Sequence, residues 1–359
     1  MATKWLQLTP LDAVTVRDGR PFGAETDSWS EMVKPSPATV AGAVHAATKK
    51  VEGFRRLGPG LISNAGEVFA PWPQALVVDE DESPPKLRWL RPTDAPGLDI
   101  SESGSRVSIV ISDIAGSDTK LRLLSGQGKR PETQWIRLAH LARFMSGEIS
   151  EMDCDGGGED VSAVDEHFTP ERHVGLYRSG KQAETGFLYS VNYIRLDETT
   201  SLLARVTPRG QIPPDLNVVV PFGGERGLVE VTVRHDNRLG IARTDHYPNG
   251  RVVVYLAAPA FFASGWHPDV PEDASLVGAA VAGPEPVAGW TKGSRRQQPS
   301  YVLRHAAPAG SVYWFEFEGP NREERAGSWA RSLHANSLPQ THPTLRAQGF
   351  GWCFTGTWS

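Results

Sequence analysis

The stretch that decides the fold lies near the start of the chain, in residues 4–16, which read KWLQLTPLDAVTV. Apolar residues recur along it at Trp5, Leu8 and Leu11, and then at Val14 and Val16, with a break at Pro10. Apolar residues interleaved with polar ones in this way predict a strand. The segment that follows, residues 17–22, reads RDGRPF and predicts a turn, because glycine and proline favour turn conformations.

A helix should begin at Ser36 and Pro37, because serine is a favoured N-cap and proline fits the first helical position. Its predicted apolar face, with spacings of three and four residues, consists of Val40, Val44, Ala47, Val51 and Phe54. The basic residues expected at its C-terminal end, where the helix dipole favours positive charge, are Lys49, Lys50, Arg55 and Arg56.

The rest of the chain predicts further strands and two more helices. Strands are expected over residues 68–72, 74–78, 201–206, 228–234, 251–257, 311–318 and 349–358, helices over 134–146 and 322–334, and a long β-hairpin over 176–195. The order strand, helix, strand, strand in each half predicts the α+β class, with two ferredoxin-like units and long loop and hairpin insertions. The polar stretch 235–239 would separate a domain of residues 1–236 from one of residues 237–359.

Composition and charge limit the class of protein. The 36 glycines and 28 prolines among 359 residues predict many turns between short strands. A formal net charge of −5 excludes binding of nucleic acid through overall positive charge, so any RNA contact needs a local basic face. Cys154 and Cys353 have no neighbours at metal-ligand spacing. A disulfide between them is geometrically possible, but a reduced protein without metal or cofactor is the simpler expectation.

The N-terminal residues do not have the layout of a signal peptide, and no apolar run approaches the roughly 20 residues that span a bilayer. These two observations together predict a cytoplasmic protein. The acidic stretches 79–85 and 148–160 are expected to be exposed loops.

Motifs of catalysis are incomplete. Residues 125–130 read SGQGKR, but Arg130 replaces the Ser or Thr that a phosphate-binding P-loop needs. His45 could be a general base in an RNA-cleaving protein, but it lies off the apolar helix face and has no evident partner. An exposed helical histidine is therefore the favoured interpretation.

Seven blocks, in order along the chain, resemble a known family. They are residues 8–29, 34–47, 171–189 (ERHVGLYRSGKQAETGFLY), 221–227 (PFGGERG), 252–262, 308–319 and 349–358 (GFGWCFTGTW). In this order they resemble the RAMP-superfamily subunit counted third in the Cmr module of type III-B CRISPR systems. The likeness reaches both ends and the middle of the chain and leaves residues 80–150 and 270–300 uncovered.

The resemblance implies two RRM-like ferredoxin domains of the RAMP type and a subunit that binds RNA without catalysis, in an RNA-guided antiviral complex. Such a subunit would bind the 5′ tag and first guide nucleotides of the CRISPR RNA together with the large Palm-domain subunit. It would also contact the backbone RAMP subunits that carry the guide, and would meet foreign target RNA through the complex. No cofactor, metal or membrane contact is implied.

The first candidate RNA contacts follow the first strand. Arg17 and Arg20 lie on its turn, where guanidinium groups could bind phosphates, although an ion pair of Arg17 with Asp12 or Asp18 is an equal alternative. The helix start offers backbone amides and a positive dipole end to an anion. The candidate residues there are Lys34, Ser36 and Thr39.

Two glycine-rich turns are further candidates, because glycine has no Cβ and lets backbone approach a ligand closely. They supply Gly223, Gly224 and Arg226, and Gly349, Phe350 and Gly351. The first turn is favoured as functional. Phe350 could stack on a base, but a role in the core is favoured for it.

The predicted hairpin and a basic loop complete the candidates. They supply Arg172, His173, Arg178 and Lys181, and Lys292, Arg295 and Arg296. In related subunits, as the resemblance implies, an extended hairpin kinks the guide strand. Exposed, solvated surface is as good an interpretation for both sets.

Two other functions stay open on the sequence. One is a metal-independent endoribonuclease that processes CRISPR repeat RNA, with His45 or His173 as the residue to test. The other is an adaptor that contacts protein alone. The leading hypothesis is the subunit that holds the guide RNA.

Overall fold

The computed structural model shows a chain of mixed class, with many strands and few helices. The described residues are 3–15, 35–49, 54–64, 66–93, 121–122, 124–131, 134–153, 161–163, 167–179, 182–224, 226–235, 241–290 and 301–358. Within them, no helix has the length and apolar character needed to span a membrane.

The strands, in chain order, are β1 (Lys4–Pro10), β2 (Phe54–Asn64), β3 (Glu67–Pro71), β4 (Leu76–Asp79), β5 (Lys86–Trp89), β6 (Arg91–Pro92), β7 (Leu124–Ser125), β8 (Gln134–Arg137), β9 (Glu151–Asp153), β10 (Val161–Ala163), β11 (Phe168–Ser179), β12 (Gln182–Leu196), β13 (Thr200–Pro208), β14 (Asn217–Pro221), β15 (Leu228–Arg234), β16 (Arg251–Leu256), β17 (Ala274–Ala280), β18 (Glu285–Trp290), β19 (Tyr301–Ala306), β20 (Val312–Phe317), β21 (Asn336–Ser337) and β22 (Trp352–Gly356). The helices are α1 (Pro37–Ala47), α2 (Leu138–Met145), α3 (Arg322–Leu333) and α4 (Pro343–Ala347), with a 3-10 turn at Pro248–Gly250.

Two antiparallel sheets organise these strands. The first has eight strands in the order β10-β8-β3-β2-β13-β1-β15-β14, and the second has five in the order β17-β20-β16-β22-β21. Smaller sheets are β4-β5-β9 and the pairs β11-β12, β18-β19 and β6-β7. The eight-stranded sheet uses residues before 235 and the five-stranded sheet residues after 250, while the division into two domains at residue 237 stays a prediction.

Strand order is the same at the centre of both sheets. The series β15-β1-β13-β2 and β22-β16-β20-β17 both follow the ferredoxin order of fourth, first, third and second strand. In the described part of the chain, each sheet has one of the two helices that this motif connects, α1 in the first and α3 in the second. The mixed class is therefore confirmed, while two complete ferredoxin-like domains stay a prediction.

Helix α1 begins where the sequence predicts. Ser36 is the N-cap, and its side-chain oxygen accepts a hydrogen bond from the amide of Thr39 at 3.3 Å. The predicted continuation to Phe54 is wrong, because α1 ends at Ala47 and the hydroxyl of Thr48 donates to the carbonyl of Val44 at 2.6 Å. Phe54 begins β2 instead, so Arg55 and Arg56 belong to a strand.

Other predictions on residues 74–78 and 134–146 need partial correction. The strand expected at 74–78 is β4, which begins at Leu76. The helix expected at 134–146 is two elements, since Gln134–Arg137 pairs with strands on both sides before α2 begins at Leu138. The strands without a counterpart among the predictions are β2, β5, β6, β7, β9, β10, β14, β17, β18, β19 and β21. Of these, β9 lies within the acidic stretch 148–160, which was expected to be a loop.

One hydrophobic core joins the two sheets. Trp5, Leu61 and Leu203 of the first sheet pack in the same cluster as Trp314 and Trp352 of the second. The hydroxyl of the fully buried Tyr255 in β16 donates to the carbonyl of Pro71 in β3 at 2.6 Å. The two halves are therefore packed against each other through aromatic side chains and at least one buried hydrogen bond.

Cys353 lies inside β22 and is fully buried as a free thiol. Burial raises its pKa to about 12, so it stays protonated at neutral pH. Cys154 lies outside the described residues.

Two histidines, the buried His167 and the partly buried His334, predict how stability depends on pH. Burial lowers the pKa of His167 and His334 from the usual 6.5, so the folded chain favours their neutral form. Below pH 6.5 the unfolded chain then binds more protons than the folded one. The free energy of unfolding should therefore be highest above that pH and fall as the pH drops toward about 5.5.

Urea unfolding above pH 6.5 and at about pH 5.5 measures the effect. His167→Phe, which keeps an aromatic ring beside Phe69, should reduce the difference in the free energy of unfolding between the two pH values. The exposed His45, changed to Gln, is the matched control and should leave the difference unchanged. Equal or greater stability at the lower pH would contradict the prediction.

Candidate nucleic-acid interface

Three of the predicted segments meet at one junction just after β1. The amides of Val14 and Ile194 each donate to the other's carbonyl at 2.8 Å, which ties the end of β12 to the chain after β1. The amide of Gly224 donates to the carbonyl of Thr15 at 2.8 Å. We call residues 12–15, the turn 221–227 and the hairpin base at 168–174 and 190–196 the junction. The chain enters residues 16–34 from this junction.

The turn 221–227 is held tightly by its own backbone. The amide of Phe222 donates to the carbonyl of Gly227 at 2.8 Å, and that of Gly227 donates to Gly224 at 3.0 Å. Gly223 and Arg226 both adopt the left-handed region, with φ of +72° and +63°. The ring of Phe222 is buried, while Gly223, Gly224 and Arg226 are exposed. The turn thus leaves Arg226 exposed to solvent, while the amide of Gly224 is bonded to Thr15.

Strands β11 and β12 form the predicted hairpin, which is longer than expected. Its register runs from Phe168 opposite Leu196 to Ser179 opposite Gln182. An irregularity lies between Leu176 and Arg178, where β12 contains the extra residues. Phe168 and Leu196 anchor the base in the core, whereas Arg172, His173 and Val174 are exposed. The hairpin therefore leaves the core within about four residues of its base.

An ion cluster holds the hairpin base to the end of β1. Nη2 of Arg195 lies 2.8 Å from Oδ1 of Asp12 and 3.2 Å from Oε2 of Glu171, and the Arg195 Nε also donates to Glu171. Nε2 of His173 lies 3.4 Å from Oε2 of Glu171, and its ring centroid lies 4.3 Å from that of Tyr193. Asp12 is thus paired with Arg195, which was not among the residues predicted from the sequence.

The charges of this cluster reinforce one another. The amide of Ala13 and then the Arg195 guanidinium lower the pKa of Asp12, and the Arg195 guanidinium is the main cause of the lowered pKa of Glu171. The two carboxylates in turn raise the pKa of Arg195. All three groups stay ionised at neutral pH, so the positive charge of Arg195 is compensated locally.

The start of α1 offers less to an anion than the sequence suggests. Pro37 has no amide hydrogen, and the amides of Thr39 and Val40 are bonded to Ser36, through its side chain and its carbonyl. Among the described residues, only the amide of Ala38 is left without a partner in this first turn. The predicted anion site at Ser36 and Thr39 is thus reduced to one amide and the helix dipole.

The core role favoured for Phe350 is confirmed, whereas RNA contacts of Gly349, Phe350 and Gly351 need correction. Phe350 is 1% exposed and packs on Phe261, with ring centroids 5.2 Å apart, so it has no free face for a base. A Cβ on Gly349 would lie 2.9 Å from the carbonyl oxygen of Gly58 in β2. One on Gly351 would overlap the side chain of Gln340. These two glycines therefore allow the loop to pack closely against Gly58 of β2 and against Gln340.

A second hairpin, β18–β19, frames the predicted basic loop. Trp290 pairs with Tyr301, and the residues between them include Lys292, Arg295 and Arg296. Val287 and Ala306 at its base share a cluster with Phe261 and Phe350, against which Ala38 of α1 packs.

Several candidates lie outside the described residues, so their contacts with RNA stay predictions. They are Arg17, Arg20, Lys34, Lys181, Lys292, Arg295 and Arg296. For Arg178 the backbone in β11 is described and the side chain is not.

Tyr193 and Arg195 are the residues of the junction that sequence reasoning missed as contacts. Both lie within the predicted hairpin, and pairing of Glu171 with Tyr193 places them on the same face as His173. A signal existed in the alternation of β12, where residues 191, 193 and 195 share one face. His45, by contrast, is exposed in the last turn of α1, as expected, with its ring against Phe54.

Comparison with known proteins identifies the class to which this fold and junction belong. The family model Cas_Cmr3, described as CRISPR-associated protein, matches residues 6–358, nearly the whole chain. The chain therefore belongs to the Cas_Cmr3 family of CRISPR-associated proteins. No match was found among curated proteins.

Two solved structures are similar to the chain. One is a chain from the cryo-EM structure of the Type III-B Cmr-beta bound to cognate target RNA, with a TM-score of 0.47 and 11% identity. The other comes from the same complex with target RNA and AMPPnP, with a TM-score of 0.48 and 12% identity. Each match covers 87% of this chain and 86% of the other.

Proposed function

We propose that the chain is a non-catalytic subunit of a type III-B Cmr effector complex. In this role it holds the 5′ tag of the CRISPR RNA and joins the large Palm-domain subunit to the backbone subunits that carry the guide. Membership in the Cas_Cmr3 family supports its place among CRISPR-associated proteins. The observation that carries the RNA-holding role is the junction, where the chain entering Arg17 and Arg20 meets the turn of Arg226 and the hairpin base.

Electrostatics suits a few local phosphate contacts. The net charge of the chain is −5, and Arg195 is compensated by Asp12 and Glu171. Positive charge available to phosphates at the junction then comes from the exposed Arg226. Arg17 and Arg20 follow Thr15 closely in the sequence and are proposed to add to it. Guanidinium groups bind phosphate oxygens in a bidentate manner, which fixes the direction of a strand.

The hairpin base adds a surface for bases. His173 and Tyr193 lie against each other at a tilt of 36° between their ring planes, and the His173 side chain is 57% exposed. An aromatic pair of this kind can support an unstacked base, at about 1–3 kcal/mol per base. Glu171 contacts Nε2 of the His173 ring and thereby restricts its orientation. We expect the first nucleotide after the tag to lie here.

A triple variant tests the proposal in the presence of the large subunit. Arg17→Ala, Arg20→Ala and Arg226→Asn remove three guanidinium groups, and asparagine tolerates the left-handed backbone at position 226. Affinity for tag RNA should fall at least about tenfold. The slope of log K against log salt should become shallower by about 2, since each single-strand phosphate contact contributes roughly 0.7.

Arg243→Ala is the matched control, because that exposed arginine pairs with Asp245 outside the junction. It should change neither affinity nor slope. Circular dichroism should show that all variants keep their fold. Unchanged affinity and salt slope in the triple variant would refute the role given to the junction.

A metal-independent endoribonuclease is the second candidate, and one observation favours it. A general base needs an oriented partner, and Glu171 provides one for His173. Incubation of the assembled complex with repeat RNA in EDTA separates the two functions. The holding role predicts intact RNA, whereas cleavage that His173→Ala abolishes would establish the nuclease.

A further inference from the structure

An exposed apolar surface lies next to the junction. Leu11, Val219 and Leu228 are 56%, 52% and 45% exposed. They account for three of the six large apolar side chains that are strongly exposed in the described part of the chain. Single exposed leucines are ordinary, whereas a contiguous group of them marks an interaction site.

Strand register places the three side chains on one face of the sheet. Pro221 of β14 is opposite Leu228 of β15, and Val219 is opposite Glu230. The amide of Leu11 donates to the carbonyl of Leu228 at 3.1 Å, which continues the β1–β15 pairing by one step. Directly opposite residues of paired strands point to the same face. We call Thr9, Leu11, Val219, Pro221, Leu228 and Glu230 the outer face.

The reverse side of these strands is already occupied. Val220, Val229 and Val231 point the other way and pack in the core with Val40 and Val44 of α1. The outer face continues along β1 to Trp5, which the second sheet covers in the shared core. Protein therefore covers one end of this face, and the described residues leave the other end, at β14, open.

Charge indicates what the outer face can bind. Glu230 lies at its centre, between Thr9 of β1 and Val219 of β14, and has no ion-pair partner among the described residues. A carboxylate among aliphatic side chains repels phosphates and attracts a lysine or arginine. The surface therefore suits a protein segment better than a nucleic acid.

The free edge of β14 adds a second means of recognition. In the described sheet β14 is the last strand and pairs only with β15. An edge strand can accept another extended segment through its backbone, while side chains on the face give specificity. Only five residues form this strand, and Pro221 ends it, which restricts the length of such a segment.

We propose that the outer face and the β14 edge dock another protein subunit of the same RNA-guided complex, through an extended aliphatic segment that places a lysine or arginine against Glu230. The choice of that partner rests on the proposed function. Leu11 directly precedes residues 12–15, so a subunit docked here would lie beside the end of the guide RNA. The outer face would thereby place a neighbouring subunit next to the residues that hold the RNA.

Reconstitution of the complex from purified subunits tests the docking. Leu228→Asp and Glu230→Lys should each weaken incorporation of the chain about tenfold or more, because one buries a charge and the other places like charges together. Val270→Asp, at another exposed valine, is the matched control and should incorporate normally. With the large subunit at saturating concentration, these variants should keep their affinity for tag RNA, unlike the triple arginine variant.

Photo-crosslinking then identifies the occupant. p-Benzoylphenylalanine in place of Leu228 should form an adduct with an aliphatic segment of another protein subunit, next to a lysine or arginine. An adduct with RNA, with a second copy of the chain or with residues 16–34 of the same chain would overturn the proposal. Normal incorporation of both the Leu228 and Glu230 variants, or equal loss with Val270→Asp, would overturn it as well.

Discussion

Replacing Gly356 by alanine should lower the free energy of unfolding by about 3 kcal/mol or more. Gly356 is a buried residue in β22, and a Cβ there would overlap the carbonyl oxygen of Met145 and lie 2.6 Å from its carbonyl carbon. The obstacle is backbone at the end of α2, which cannot rotate away as a side chain could. The amide of the next residue, Thr357, donates to the same Met145 carbonyl at 2.9 Å. Moving β22 away from α2 to make room for the Cβ would therefore also break this hydrogen bond.

Gly42→Ala is the matched control for this substitution. Gly42 lies in the middle of α1, is exposed, and a Cβ there would meet nothing within 4 Å. Alanine should therefore stabilise the chain by about 0.5–1 kcal/mol, through helix propensity alone. Chemical denaturation of both variants gives the comparison. A loss below about 1 kcal/mol for Gly356→Ala would show that the close approach of β22 to α2 is wrong.

Tyr255→Ala should cost about 3–5 kcal/mol, which is the second large effect. Its ring is fully buried in the shared core, and its hydroxyl is bonded to the carbonyl of Pro71. The substitution would leave a cavity between the two sheets and an unpaired carbonyl. Burial also raises the pKa of this tyrosine well above its ordinary value, so the hydroxyl remains a donor at any working pH.

Tyr255→Phe separates the hydrogen bond from the packing. It keeps the ring and removes only the donor, so it should cost about 1–3 kcal/mol. Thermal or urea unfolding of the wild type and the two variants measures both contributions. The assignment would fail if Phe cost as much as Ala, or if neither variant were destabilised.

The sequence pattern predicted those strands and helices whose tertiary contacts favour the same secondary structure as the local sequence. The strand at 228–234 has the observed bounds, and the helix at 322–334 differs by one residue. The clearest miss is β2, which reads FRRLGPGLISN with Gly-Pro-Gly at its centre. Glycine and proline favour loops, yet a Cβ on Gly58 would lie 2.7 Å from that of Arg205, so close packing requires glycine there.

The segments that form the candidate site were predictable from the sequence, but the contacts between them were not. The turn 221–227, the hairpin and the end of β1 were identified from sequence, but only the bonds of Thr15 and Val14 show that they meet. Arg195 was missed, because its role depends on carboxylates 24 and 183 residues away. A core role was favoured for Phe350, but its partners were not predictable for the same reason, since its burial depends on Phe261 and on a hairpin base distant in sequence.

The shared aromatic core has a consequence for anyone who would cut this protein in two. Severing the polypeptide near residue 237 would expose Trp5, Leu61 and Leu203 on one fragment and Trp314 and Trp352 on the other. Apolar area of that extent drives aggregation of isolated fragments.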